Sequence, residues 1–110
     1  MLVEDEPLIS MDLKFSLKQA GHAAVTLPDA DKAIDALDAQ FFDLIVTDID
    51  MPGSMDGLRL AAAVRDRWPP VEIVVMSGKH RPSDADMPSQ ARFISKPFRA
   101  AELLEAIGSW

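Results

Sequence analysis

Leu44-Ile45-Val46 is a short apolar, partly β-branched run that leads into two carboxylates, Asp48 and Asp50, and then into chain breakers at Pro52, Gly53 and Gly57. Such a run reads as a strand buried on both faces. A strand apolar on both faces needs cover on both sides, and a parallel sheet with helices on either face supplies it. The breakers place the acids where the strand gives way to a loop. In an open α/β sheet that is the ligand-binding end of a strand. Asp48 is therefore the candidate reactive group.

The rest of the chain alternates in the same way. Leu2-Val3 reads as the end of a first strand, short enough to suggest a residue or two ahead of it, and runs into Glu4-Asp5-Glu6-Pro7. Pro7 suits the first turn of a helix. Leu8, Met11, Leu13, Phe15 and Leu17 recur at roughly helical spacing up to Ala20, and Gly21 stops that helix. Ala23 to Leu27 is a weaker second strand. Ala33, Ile34 and Leu37 mark a short second helix, with Asp29 or Asp31 near its start. Leu58, Leu60, Ala61 and Val64 carry a third helix from Gly57 to about Trp68, ended by Pro69-Pro70.

Val71 to Met76 is the clearest strand, closed by Ser77-Gly78. Lys79 to Gln90 is polar and holds Pro82 and Pro88, so the sequence predicts at most one short turn there. Ala91 to Ser95 is a fifth strand before Lys96-Pro97, and Phe98 to Trp110 closes as a helix with Leu103, Leu104 and Ile107 on one face. Five β-α repeats with an irregular fourth helix predict a doubly wound, five-stranded parallel sheet in one domain over 1–110.

Composition narrows the function. The 110 residues contain no Cys, which excludes a disulfide framework, a thiol nucleophile and a Cys-based metal site. No apolar run is long enough to span a membrane, and the acidic start is no signal peptide, so the sequence predicts a cytoplasmic protein. The formal charge of -7 without a basic stripe argues against direct nucleic-acid binding. His22 and His80 stand alone in polar loops, and surface placement is the expectation; Trp68 and Trp110 are expected to pack helix ends.

Side by side, the strands' carboxyl ends bring Glu4, Asp5, Asp48, Asp50, Ser77 and Lys96 to one edge, a set no core needs. Clustered carboxylates repel one another and raise one another's pKa. A hard divalent cation removes the conflict, and carboxylate and carbonyl oxygens match Mg²⁺. An ionised carboxylate attacks a phosphoryl group once cations neutralise the phosphoryl oxygens. Mg²⁺ and Lys96 would supply those cations, Ser77 a hydrogen bond, and the product would be an aspartyl phosphate on Asp48.

Glu4-Asp5, Asp48-x-Asp50-Met51-Pro52 with Met55-Asp56-Gly57, Met76-Ser77-Gly78 and Lys96-Pro97-Phe98, in this order and spacing, resemble the receiver domain of two-component response regulators over essentially the whole chain. The resemblance implies a flavodoxin-like sheet in the order 2-1-3-4-5. It makes Asp48 the phospho-acceptor, Asp5 a direct Mg²⁺ ligand and Glu4 an acid acting mostly through water. It has the Asp50 main-chain carbonyl bind Mg²⁺, and makes Lys96 the phosphate-binding lysine before a cis peptide bond to Pro97. Ser77 becomes the switch hydroxyl and Phe93 the aromatic that moves inward with it. The implied partner is a histidine kinase or a histidine phosphotransfer protein, followed by an output partner or a phosphorylation-dependent dimer. Such a domain catalyses only its own phosphorylation and dephosphorylation.

Three features depart from the family pattern. One extra residue lies between Pro52 and Met55. The Pro-rich stretch Lys79 to Gln90 replaces a regular helix, which argues against the usual receiver dimer. Asp50 and Lys79 occupy positions that influence phosphate lifetime in the family. Two rival readings fit less well. Phosphatases of the haloacid-dehalogenase type place their Asp pair after the first strand, usually with Thr or Val where this chain has Pro52. A receiver-like interaction module that is not phosphorylated usually lacks an acid, the acceptor or the lysine, and all are present here. Nothing resembling an effector follows within these 110 residues, which leaves open both a stand-alone regulator and a piece of a longer regulator or hybrid kinase.

Overall fold

The structure is a computed structural model and describes residues 1–51, 55–79 and 81–108. In chain order the elements are β1 (Leu2–Val3), α1 (Pro7–Gln19), β2 (Thr26–Leu27), α2 (Ala30–Ala39), β3 (Leu44–Asp48), α3 (Gly57–Arg67), β4 (Glu72–Ser77), β5 (Arg92–Ser95) and α4 (Ala100–Gly108). The strands form one five-stranded sheet in the order β2-β1-β3-β4-β5, and every pairing is parallel.

Residues 44–46 of β3 and 73–76 of β4 are continuously apolar because both of their faces are covered. Ile45, Ile73 and Val75 pack with Leu37 of α2 and Leu60, Ala61 and Val64 of α3. Val46, Val74 and Met76 pack on the other face with Leu13 and Leu17 of α1 and Leu103 of α4. Successive strand residues point to opposite faces, so alternate side chains feed alternate cores. The two-residue β1 is fully buried at Leu2 and Val3. Truncating one such fully buried Leu or Ile to Ala would cost about 2–5 kcal/mol.

Local signals set the helix ends. Pro7 opens α1. Gly21, at φ +92°, closes it: the Gly21 N–H donates to the Lys18 carbonyl at 3.0 Å and the His22 N–H to the Leu17 carbonyl at 2.9 Å. That bond pair defines a Schellman end, and the positive φ explains the glycine. Of the two candidates Asp29 and Asp31, Asp29 is the cap of α2, accepting from the Lys32 N–H at 2.9 Å. Asp56 caps α3 in the same way at Arg59. The apolar residues of α1 divide: Leu13 and Leu17 face the core, while Leu8, Met11 and Phe15 are 82%, 69% and 61% exposed.

No helix joins β4 to β5 among the described residues, as the prolines predict. The crossover is held by side chains instead. Ser83 Oγ donates to Asp86 at 2.9 Å, and Gln90 takes a φ of 62°. Arg65 of α3 donates to three carbonyls: Ser89 at 2.7 Å, Pro69 at 2.8 Å and Val71 at 3.0 Å. One guanidinium thus ties the crossover to the end of α3 and the start of β4, which its planar fork of donors allows.

Several boundaries differ from the sequence reading. β2 spans only Thr26–Leu27 rather than Ala23 to Leu27, because the two-residue β1 offers only Leu2 and Val3 to pair with it. β4 runs one residue further, to Ser77, whose carbonyl accepts from the Lys96 N–H at 2.9 Å. Trp68 packs against the α3-side core with the Arg67 guanidinium 4.4 Å from its ring centre. His22 is exposed. His80, Trp110 and the extra residue around Gly53-Ser54 lie outside the described residues.

Candidate functional site

Parallel register builds the site. Val3 pairs with Thr47, so Glu4, the next residue, lies beside Asp48. Asp48 pairs with Met76, and Ser77 pairs with Ser95, so Ser77 and Lys96 follow on the same edge. Gly57 sets how closely α3 approaches. A Cβ on it would overlap the Asp48 carbonyl oxygen and sit 2.8 Å from the Ile49 Cα, while the Gly57 N–H donates to the Ile49 carbonyl at 2.9 Å. Any larger residue would push α3 off the strand end that carries Asp48.

Glu4, Asp48 and Ser77 are buried, at 3%, 5% and 1% exposure, whereas Asp5 is exposed. Lys96 Nζ donates to Glu4 Oε2 at 2.8 Å and to Asp48 Oδ2 at 3.0 Å. The Glu6 N–H donates to the second Glu4 oxygen at 3.2 Å, and the Asp50 N–H to Asp48 Oδ1 at 3.4 Å. Lys96-Pro97 is a cis peptide bond, as the family resemblance implies.

Burial and pairing act differently on the two partners of the Lys96–Glu4 bond. Burial pushes the Glu4 carboxyl above its usual range, and the nearby Asp48 charge adds to the rise, against the pull of Lys96. Burial works to lower the Lys96 pKa, but its bonds to Glu4 and Asp48 outweigh this and raise it. The asymmetry has a physical source: the Glu4 side chain is 0% exposed, while that of Lys96 keeps 19% of its surface in solvent. The ammonium therefore stays charged and the acidic edge is left partly uncompensated.

Glu4, Asp5 and Asp48 each offer a carboxylate oxygen, all within 4.8 Å of one another. Hard oxygen donors, one of them open to solvent, fit an ion such as Mg²⁺, which keeps several waters. The donor set thus agrees with the metal expected from the sequence.

Ser77 and Asp50 contribute a feature that sequence reasoning missed. Ser77 Oγ donates to Asp50 Oδ2 at 3.1 Å and accepts from the Lys79 N–H at 3.2 Å. The sequence points to a main-chain role for Asp50, with its side chain as surface charge; the structure puts that side chain on the hydroxyl. Only the family's sensitivity at that position hints at it. Phe93, half-buried, pairs with Val75 and packs on the α3 side, with the Arg81 guanidinium 5.4 Å from its ring centre.

Fold and site together define a doubly wound α/β domain with an acid-lysine-hydroxyl centre at the carboxyl edge of its sheet. The family model for the response regulator receiver domain matches residues 1–108, and the chain belongs to that family of two-component signalling domains. It is 32% identical to the response regulator protein FleR of Pseudomonas aeruginosa, over 97% of this chain and 23% of FleR. It is 31% identical to the receiver protein CpdR of Brucella abortus, over 97% of this chain and 91% of CpdR. The chain thus spans under a quarter of one relative and nearly all of another. The crystal structure of TrrA from Thermotoga maritima, in complex with Mg²⁺ and BeF, superposes with a TM-score of 0.87 at 29% identity, covering 97% of this chain and 93% of that one. No helix among the described residues is long and apolar enough to cross a membrane.

Proposed function

We propose that the domain takes a phosphoryl group onto Asp48 from a partner histidine kinase or histidine phosphotransfer protein and signals through the surface around Ser77 and Phe93. The observation that carries this reading is the Lys96 ammonium bridging Glu4 and Asp48 at 2.8 and 3.0 Å on the ligand-binding edge of the sheet. An Asp48 oxygen attacks phosphorus, the O–P bond of an acyl phosphate forms, and the P–N bond of the donor imidazole breaks with its electron pair returning to the ring. Glu4, Asp5, Asp48 and the Asp50 main-chain carbonyl would hold Mg²⁺. Bound there, the ion would supply positive charge for the phosphoryl oxygens.

Lys96, bonded to Glu4 and Asp48, offers the second positive charge. Ser77 offers a hydrogen bond to a phosphoryl oxygen. Phosphorylation adds about -1.5 to -2 charge to the edge, and drawing Ser77 toward it moves the start of the β4–β5 crossover through the Lys79 N–H. Phe93 lies under the same crossover, so the change reaches the surface that an output partner or a second copy would meet.

The test is incubation with Mg²⁺ and a small-molecule phosphodonor, read by intact mass. The expected result is one added phosphoryl group that requires Mg²⁺ and disappears in Asp48→Asn. An unchanged mass gain in Asp48→Asn would overturn the assignment.

A further inference from the structure

We infer that the Asp50 side chain is a latch that holds the Ser77 hydroxyl away from the phosphoryl group, so that Asp50 and the phosphoryl group compete for one proton. The inference rests on the proposed role of Ser77 toward phosphate. Its geometric basis is the 3.1 Å contact between Ser77 Oγ and Asp50 Oδ2. A carboxylate can only accept, so Ser77 is the donor in this contact. A serine hydroxyl has a single O–H. While Asp50 takes that proton, Ser77 cannot also donate it to an oxygen on phosphorylated Asp48.

The same hydroxyl accepts from the Lys79 N–H at 3.2 Å. Its orientation therefore bears on both the acid edge and the first residues of the crossover. Asp50 is well placed to bias that orientation, because its own N–H is anchored on Asp48 Oδ1 at 3.4 Å. Asp50 acts here as a positioning residue working through Ser77.

The latch predicts energetic coupling between Asp50 and Ser77 that a direct effect of the Asp50 charge does not. Affinity for beryllofluoride with Mg²⁺ is measured for the wild type, Asp50→Ala, Ser77→Ala and the double variant. Removing Asp50 also changes the local charge, and that contribution is common to both backgrounds and cancels in the cycle. The ratio of Asp50→Ala affinity to parent affinity is expected to be about five- to tenfold larger with Ser77 present than in the Ser77→Ala background, the upper part of the range for one net intramolecular hydrogen bond. Equal ratios, or a smaller ratio with Ser77, would overturn the latch.

A second readout needs neither metal nor phosphoryl analogue. In the metal-free protein, Asp50→Ala removes the acceptor that orients the hydroxyl and is expected to shift the Lys79 amide resonance well beyond the shift in a Ser77→Ala background. A Lys79 amide that Asp50→Ala leaves in place would overturn the latch. A wild type that fails to bind beryllofluoride would overturn the phosphoryl reading, and the competition with it, while the amide result would still decide whether Asp50 orients the Ser77 hydroxyl.

Discussion

Replacing Lys96 by Met keeps most of the apolar stem and removes the ammonium that bridges Glu4 and Asp48. Two charge-assisted hydrogen bonds are lost, at 2.8 and 3.0 Å, from carboxylate side chains that are 0% and 7% exposed. Breaking a buried pair from one side costs about 3–5 kcal/mol. The lysine's partial exposure softens this to about 2–3 kcal/mol. For a domain of this length that corresponds to a fall of about 8–12 °C in the melting temperature without divalent ions.

The loss should depend on pH. The Glu4 pKa is raised from 4.5, so its favourable contribution is present below that value and lost as pH rises through the folded-state pKa. Removing Lys96 makes ionised Glu4 harder to tolerate, so the gap between variant and wild type should widen from about pH 4.5 to neutrality. The Lys96 pKa is raised from 10.5, so its contribution is complete at neutral pH and is lost only as pH rises through that higher value. Mg²⁺ at about a hundred times its Kd should return about 2.7 kcal/mol to the variant. Urea and thermal unfolding across pH, with and without Mg²⁺, measure this. A variant that melts with the wild type at pH 7 without Mg²⁺, or with a gap that does not change with pH, would show that the Lys96 bridge does not stabilise the acidic edge.

Three further outcomes follow from the same geometry. Glu4→Gln should flatten the loss of metal-free stability that the wild type shows as pH rises above 4.5, and should weaken stabilisation by Mg²⁺, both seen in pH-resolved urea unfolding. Gly57→Ala forces a methyl against the Asp48 carbonyl and should cost about 3 kcal/mol or more in urea unfolding, with slower phosphorylation in whatever fraction folds. Arg65→Met removes the three hydrogen bonds that tie the crossover to the end of α3 and the start of β4 and should cost about 2 kcal/mol; hydrogen exchange should speed up at Ala91 and Asp86 while the Asp48 amide keeps its resonance.

The sheet and the acid edge were legible because they rest on short-range signals. The runs at Leu44–Val46 and Val71–Met76 name buried strands, and the breakers after them name the edge. Register then brings Glu4, Asp48, Ser77 and Lys96 together without further instruction. The missing helix between β4 and β5 was legible from Pro82 and Pro88. Its replacement was not, because Arg65 reaches main-chain carbonyls, that of Ser89 far along the chain, which carry no side-chain signature. The exposure of Leu8, Met11 and Phe15 was also hidden, since helical spacing gives a periodicity without saying which stripe meets the sheet. Asp50 was under-read for a related reason: the family resemblance implies a backbone role for it, and only the three-dimensional closeness of β3 and β4 brings its carboxylate to Ser77.

In the proposed reaction one carboxylate of the acidic edge, Asp48, carries the phosphoryl group. Borohydride reduces an acyl phosphate to an alcohol and marks the phosphorylated residue permanently, so peptide mapping after phosphodonor, Mg²⁺ and borohydride reads the site directly. The expected product is homoserine at position 48, absent when Mg²⁺ is withheld. Reduction at Glu4, Asp5 or Asp50, or a phosphorylated protein with position 48 intact, would contradict it.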